Sequence, residues 1–83
     1  MAEKEIGKVT HYYGNIGVAI VELSGTLSKG DRVHIVGGTH DFEQEVSEIQ
    51  VDHSDVENAK KGDVIGLKVK EKAPQGAAVF KVG

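Results

Sequence analysis

Five lysines between residues 60 and 72 are the side chains best suited to binding a charged ligand: Lys60, Lys61, Lys68, Lys70 and Lys72. Residues 60–83 contain six lysines against two acids, although the whole chain has a net charge of -3. Because side chains alternate along a strand, Lys68 and Lys70 share one face and Lys72 could extend it. Such a stripe can contact RNA phosphates with a salt-dependent affinity. It is equally typical of a solvated strand face, where lysine protects an edge from unwanted pairing.

Two adjacent tyrosines, Tyr12 and Tyr13, precede Gly14. Neighbouring strand residues point to opposite faces, so we expect one ring in the core and the other, which we assign to Tyr13, at the surface. An exposed ring can stack on a nucleobase or pack against a protein partner. A tyrosine that only closes one end of the core would give the same pattern.

Motifs for enzymatic chemistry are absent from the sequence. It contains no phosphate-binding G-x-x-x-x-G-K-[ST] loop, no G-x-S-x-G elbow and no cysteine. Seven acids and no base lie between residues 41 and 57. Two of these acids could work as a general acid and base only if they converged in a cleft, and a solvated strand face is the simpler interpretation. We therefore predict a non-catalytic protein without a cofactor.

Four histidines could in principle ligate a metal: His11, His34, His40 and His53. They lie on different predicted elements and have none of the spacings that are typical of metal sites. We interpret them as surface histidines and predict no metal site.

The elements that must position these residues are β-strands. The 83 residues include 12 Val and 6 Ile but 3 Leu, together with 11 Gly. β-branched residues favour a pleated sheet, and glycine marks turns. Six such runs, separated by turn sequences, predict an all-β fold: a small closed antiparallel six-stranded β-barrel that forms a single domain over residues 1–83.

Two local irregularities are expected within this barrel. Phe42 and Val46 are out of phase with Ile49 and Val51, which predicts a β-bulge near Ser47–Glu48. Residues 54–62 begin with a capping Ser-Asp pair and end at a glycine. This pattern predicts one short helical turn near residues 55–60.

The composition also bears on location. No apolar run reaches the roughly 20 residues that span a bilayer. Residues 1–5 lack the form of a signal peptide, and the absence of cysteine fits a reducing compartment. We expect a cytoplasmic protein that has no membrane partner.

Four motifs follow one another along the chain: Ile6-Gly7-Lys8-Val9, Gly17-Val18-Ala19-Ile20-Val21, Gly25-Thr26-Leu27-Ser28-Lys29-Gly30-Asp31 and Ala59-Lys60-Lys61-Gly62-Asp63-Val64. Their order resembles the second domain of translational GTPases, such as elongation factor Tu and bacterial initiation factor two, over about residues 5–82. The resemblance implies a small β-barrel that contacts ribosomal RNA or the aminoacylated end of tRNA and performs no chemistry. The GTPase domain has no counterpart here, so we expect no nucleotide hydrolysis.

The same resemblance implies a position for three further residues. Thr26 and Leu27 fall near the pocket that receives the terminal adenosine of tRNA, and Gln50 falls on the facing strand, where the elongation factor carries an acid. A core or turn position suits Leu27 better. The segment Phe42-Glu43-Gln44-Glu45-Val46 is in turn similar to the C-terminal barrel of collagenase-like peptidases.

Two hypotheses about function follow. In the first, the chain is a stand-alone, translation-factor-like module that binds ribosomal RNA, tRNA or the ribosome through residues 60–72 and the barrel rim. In the second, it is a protein-interaction adaptor that docks on a separate enzyme or GTPase chain, as in the C-terminal barrel of collagenase-like peptidases. The second rests on the apolar strand in which Val18 and Ile20 oppose Ala19 and Val21, and it fails if Val18 and Ile20 are both buried.

Overall fold

The computed structural model describes residues 3–51 and 54–82, and its regular structure there consists of β-strands alone. Ten strands follow in chain order: β1 (Glu3–Tyr13), β2 (Val18–Leu23), β3 (Leu27–Ser28), β4 (Arg32–Gly37), β5 (His40–Glu45), β6 (Ile49–Val51), β7 (Ser54–Val56), β8 (Asn58–Ala59), β9 (Val64–Lys68) and β10 (Ala78–Val82). The all-β prediction is confirmed. Among these described residues, no helix is long and apolar enough to cross a membrane.

The strands form one antiparallel sheet of eight and a separate pair. The order in the large sheet is β5-β4-β10-β1-β2-β9-β6-β7, and β3 pairs with β8. Strands β5 and β7 are therefore the two edges of an open sheet. The predicted six-stranded closed barrel is wrong in strand number, because the chain forms several additional strands of two or three residues. It is wrong in closure, because the two edge strands do not hydrogen-bond to each other.

A glutamine side chain links β5 to the other half of the sheet. The Gln44 amide nitrogen donates to the carbonyl oxygen of Lys68 at 2.7 Å, and its oxygen accepts from the backbone nitrogen of Lys70 at 2.9 Å. Gln44 is the one polar residue buried among the described residues, and both ends of its amide are paired. A side chain thus bridges a gap that a backbone ladder would cross in a closed barrel.

The structure has no bulge near Ser47–Glu48; the strand is interrupted there instead. Strand β5 ends at Glu45 and β6 begins at Ile49, so the change of phase falls in the residues between them. Val46 is buried there, and its backbone nitrogen donates to the carbonyl of Asp31 at 2.7 Å. This hydrogen bond holds the broken segment against the β3–β4 connection. Bulges do occur in β1, where the pairing register shifts between Glu5 and Gly7 and between Val9 and His11.

The prediction of a helical turn near residues 55–60 is wrong. Strand β7 pairs with β6, and β8 pairs with β3 through Leu27 opposite Ala59 and Ser28 opposite Asn58. The carbonyl of Glu57 accepts from the backbone nitrogen of Lys29 at 2.8 Å. Long-range pairing satisfies the backbone groups that a helical turn would have satisfied locally, and tertiary structure overrides the capping signal.

One hydrophobic core lies on the inner face of the sheet. Its fully buried side chains come from most strands and are mainly β-branched: Ile6, Val9, Val21, Leu27, Val33, Ile35, Val46, Ile49, Ile65, Leu67 and Val79. Tyr12 packs against this core, whereas its neighbour Tyr13 is exposed. The predicted division of the two tyrosines between faces is confirmed.

Candidate functional site

The exposed apolar side chains gather in one groove on the outer face of the sheet. Among the described residues, the large hydrophobic side chains that are exposed are Tyr13, Ile16 and Val64, with Ile16 exposing 56% of its surface. All three line a groove of about 360 Å³, together with Val18, Ile20, Gln50, Ile65 and Gly66. Surface apolar residues are usually scattered, so their convergence makes this groove the candidate site.

Strand register assembles the groove. On the outer face, Ile20 of β2 lies opposite Gly66 of β9, and Gly66 lies opposite Gln50 of β6. Val18 and Ile20 are only partly buried, whereas Ala19 and Val21, which alternate with them, are in the core. The apolar second strand therefore keeps an accessible face, as the protein-interaction hypothesis requires.

Gly66 forms the low point of the groove. A Cβ atom at this position would lie 3.3 Å from Val18 Cγ1 and 3.8 Å from Gln50 Cβ. The absence of a side chain there leaves a depression between Ile20 and Gln50.

Tyr13, at the end of β1, and Ile16, in the turn that follows, are two of the three exposed apolar side chains. The backbone nitrogens of Ile16 and Gly17 both donate to the carbonyl of Tyr13, at 3.3 and 2.9 Å. Gly17 has φ of 67°, a conformation that L side chains rarely adopt. The Tyr13 ring also lies against His11, with ring centroids 4.6 Å apart. These contacts fix the turn, so Tyr13 and Ile16 are presented in a defined position.

Tyr13 and Gln50 are among the binding residues proposed from the sequence, and Val18 and Ile20 carry its protein-interaction hypothesis, whereas Ile16 and Val64 are not singled out there. A signal for Ile16 was available, since a β-branched residue is out of place in a Gly-Asn-Ile-Gly turn unless it has a partner. Thr26 is exposed away from the groove. Leu27 is fully buried in the core, which agrees with the sequence-based preference for a core position.

The five lysines of residues 60–72 are all exposed, but they do not share one surface. Lys61 lines a shallow depression beside Glu5, Lys8 and Glu22, at the start of β9. Lys68 and Lys70 line another at the end of β9, with Arg32 and Glu45. The first depression holds two acids and two lysines, whereas the second holds Lys68, Lys70 and Arg32 with one acid, Glu45, so Lys61 is separated from the more basic region around Lys68 and Lys70.

A second cluster of polar residues surrounds His34 on β4. Its Nδ1 lies 2.8 Å from Oε1 of Glu3, and its Nε2 is hydrogen-bonded to Asp41. These hydrogen bonds, first to Asp41 and then to Glu3, raise the pKa of His34 to about 8. Because both ring nitrogens face carboxylates, the favoured form is the imidazolium ion, in which both donate. The cluster spans four neighbouring strands, in the order β5, β4, β10 and β1. Strand β10 contributes Phe80, whose ring lies near that of His34.

This cluster predicts a pH-dependent stability. The pKa of His34 in the folded protein lies above its ordinary value of 6.5, so its contribution is fully present below about pH 6.5 and is lost as the pH rises through about 8. Glu3 and Asp41 are exposed, and solvent screening limits the effect to about 1 kcal/mol. Urea unfolding of the wild-type protein and of His34→Gln is measured at pH 6 and pH 9, with a chelator present to remove metal ions. Between the two pH values the wild-type protein should lose about 1 kcal/mol more stability than His34→Gln. Equal pH dependence of the two proteins would contradict it.

The fold has relatives among solved structures. It superposes on the C-terminal domain of a protein described as a U32 peptidase from Geobacillus thermoleovorans with a TM-score of 0.89, over 96% of this chain and 93% of that chain. A selenomethionine variant of the same domain gives a TM-score of 0.84. Sequence identity is 22% and 21%, so these comparisons establish the fold alone.

Sequence relatives carry names of the same class. An uncharacterized protease of Methanocaldococcus jannaschii is 39% identical over 77 residues, and a collagenase of Porphyromonas gingivalis is 42% identical over 78 residues. Each match covers 92% of this chain but only 19% and 22% of the respective relative. The chain therefore spans about a fifth of the length of the relatives it matches.

The family model for elongation factor Tu domain 2 matches residues 15–79. This range contains the predicted Gly-Thr-Leu motif, most of the groove and all strands from β2 to β9. The resemblance inferred from the sequence motifs is confirmed, and the chain belongs to the elongation factor Tu domain 2 family.

Proposed function

We propose that this domain is a non-catalytic docking module, and that its partner is the catalytic domain of a peptidase. The observation that carries the proposal is the convergence of Tyr13, Ile16 and Val64 in one groove. The relatives named as a protease and a collagenase support the class of partner, since each contains a counterpart of this domain within a much longer chain.

The groove has the composition expected of a protein interface. Aromatic residues are enriched in the centres of interfaces, and Tyr13 supplies one that is already held against His11. Full burial of a Val or Ile side chain contributes about 1.5–3 kcal/mol, so Ile16 and Val64 can supply much of a docking free energy. Gln50 adds a polar group at the edge of the apolar surface.

An RNA-binding function receives less support from the same surface. The groove is apolar, and the basic region of Lys68, Lys70 and Arg32 is small, contains Glu45 and is separate from the depression that holds Lys61. Association with RNA typically needs a concentrated basic patch. We therefore treat RNA as a competing outcome of the test that follows.

Photo-crosslinking tests the proposal. We expect a photoreactive amino acid at position 16, added to lysate of the source organism, to crosslink an identified peptidase. The variant Val64→Asp should lower that yield at least tenfold, because it places a charge in the desolvated centre of the contact. A photoreactive group at exposed position 72, outside the groove, serves as the control and should not capture the peptidase.

Three outcomes would overturn the proposal. They are capture of ribosomal components or tRNA in place of a peptidase, capture at position 72 as efficient as at position 16, and a yield that Val64→Asp leaves unchanged. The paired variant Lys68→Glu with Lys70→Glu distinguishes the two hypotheses, since it should leave peptidase capture intact but would abolish an RNA-dependent association.

A further inference from the structure

The residues around His34 provide three potential metal ligands from three strands. Glu3 of β1, His34 of β4 and Glu43 of β5 each present one ligand atom, and these atoms all lie within 4.8 Å of one another. His34 and Glu43 are directly opposed in the β4–β5 pairing. The separation is consistent with a shared ion, because ligand atoms about 2.1 Å from a tetrahedral zinc lie about 3.4 Å apart. Glu3 and Glu43 are part-exposed and can rotate to that distance.

The local charge favours a divalent cation. Three carboxylates, those of Glu3, Asp41 and Glu43, surround the imidazole, and within residues 3–51 and 54–82 Arg32 is the one permanent cation paired with them. With the imidazole neutral, as a metal ligand must be, these groups sum to two negative charges. Arg32 Nε donates to Oε1 of Glu43 at 3.0 Å, and among the described residues the other carboxylate oxygen makes no hydrogen bond.

Asp41 would orient the ring. A histidine that ligates a metal usually donates its second ring N–H to a carboxylate, which fixes the tautomer and leaves the other nitrogen for the ion. Here Nε2 is hydrogen-bonded to Asp41, and Nδ1 faces the carboxylate of Glu3. The ring is only part-exposed and lies near Phe80, so its orientation is restrained.

We propose that Glu3, His34 and Glu43 bind a divalent transition-metal ion of the zinc type, with Asp41 as the residue that positions His34. One imidazole and two carboxylates form a nitrogen–oxygen ligand set that suits zinc better than magnesium, which prefers oxygen ligands alone. Sequence spacing gave no indication of such a site, because its three ligands are separated by 31 and 9 positions and meet only through strand pairing.

Titration of the untagged protein with zinc chloride tests the site. Calorimetry should show one zinc ion bound per chain, and magnesium chloride should give no binding. We expect His34→Gln and Glu43→Gln each to weaken zinc binding at least tenfold, and Asp41→Asn to weaken it about 10-fold or more through loss of ring orientation. His11→Gln is the matched control, since His11 lies against Tyr13 on another part of the sheet.

Nuclear magnetic resonance locates the ion independently of affinity. Zinc should shift the ring nitrogen signals of His34 and the backbone amides of β4 and β5, while those of the groove stay in place. The proposal is overturned if zinc binds only at millimolar concentration, if His11→Gln reduces binding as much as His34→Gln, or if the largest shifts lie elsewhere. Because the groove and this cluster share no residue, the outcome does not depend on the proposed docking function.

Discussion

Replacement of Gln44 by alanine is expected to lower the free energy of unfolding by about 2–3 kcal/mol. The Gln44 amide supplies one hydrogen bond to the Lys68 carbonyl and one to the Lys70 backbone nitrogen, at 2.7 and 2.9 Å. Alanine removes both partners and leaves two backbone groups in a partly buried place where water cannot fully replace them. Each such unpaired group costs about 1–3 kcal/mol.

The effect is large for a domain of this size. A chain of 83 residues has a total stability of the order of 4–12 kcal/mol, so the loss would be visible as a lower urea midpoint at constant slope. Gln50→Ala is the matched control. Its side chain lies on the outer face, and no side-chain hydrogen bond involves it in residues 3–51 and 54–82. Gln50→Ala should change stability by less than about 0.5 kcal/mol. If the two variants were equally stable, the Gln44 bridge would have no structural importance.

The role of Gln44 also explains why closure of the sheet could not be predicted. The strand content and the division of Tyr12 and Tyr13 between two faces follow from composition and local alternation, which the sequence displays directly. The bridge depends on groups 24 and 26 residues away along the chain. A single side chain that takes the place of a backbone hydrogen-bond ladder leaves no periodic pattern in the sequence. The alternation of apolar and polar residues therefore predicts strands but does not show whether the sheet closes.

The sequence does not predict the two-residue strands β3 and β8, for a related reason. Strand β8 has two residues, and it pairs with a strand of the same length more than 25 residues earlier. No sequence period can be recognised over two residues. The Ser-Asp pair that begins β7 is favourable at a helix start in isolation, and only the neighbouring strand decides otherwise.

The groove was predictable in its parts and not as a whole. Alternation with Tyr12 separates the two rings and is consistent with a surface position for Tyr13. The family resemblance identifies Gln50 as a candidate binding residue. Ile16 lies in a turn and Val64 at the start of a strand, positions that carry no common signal. Register places Tyr13 opposite Val18 and Val64 opposite Glu22, along one side of the same groove, and register is a property of the folded sheet.

Replacement of Gly7 by alanine is expected to destabilise the domain by about 2–3 kcal/mol, because the pairing of β1 with β2 leaves no room for a side chain. An alanine Cβ would lie 2.8 Å from the carbonyl oxygen of Glu22 and 2.8 Å from Val21 Cγ1. Real Cβ contacts essentially never occur below 3.0 Å, and a backbone oxygen cannot rotate away. The two strands would have to separate where β1 also pairs with β10, at the bulge next to Glu5.

Gly14, in the turn that joins the same two strands, offers a matched comparison. An alanine Cβ there would meet one atom within 4 Å, Tyr12 Cε2 at 3.4 Å, which is ordinary contact. Gly14→Ala should therefore stay within about 0.5 kcal/mol of the wild-type protein. Thermal unfolding measures both, since about 2 kcal/mol corresponds to a midpoint lower by about 10 °C in a domain of this length. Equal midpoints for Gly7→Ala and Gly14→Ala would mean that β1 and β2 are not held as closely as their backbone contact requires. In that case no steric constraint of this fold would require a glycine in the Ile6-Gly7-Lys8-Val9 motif.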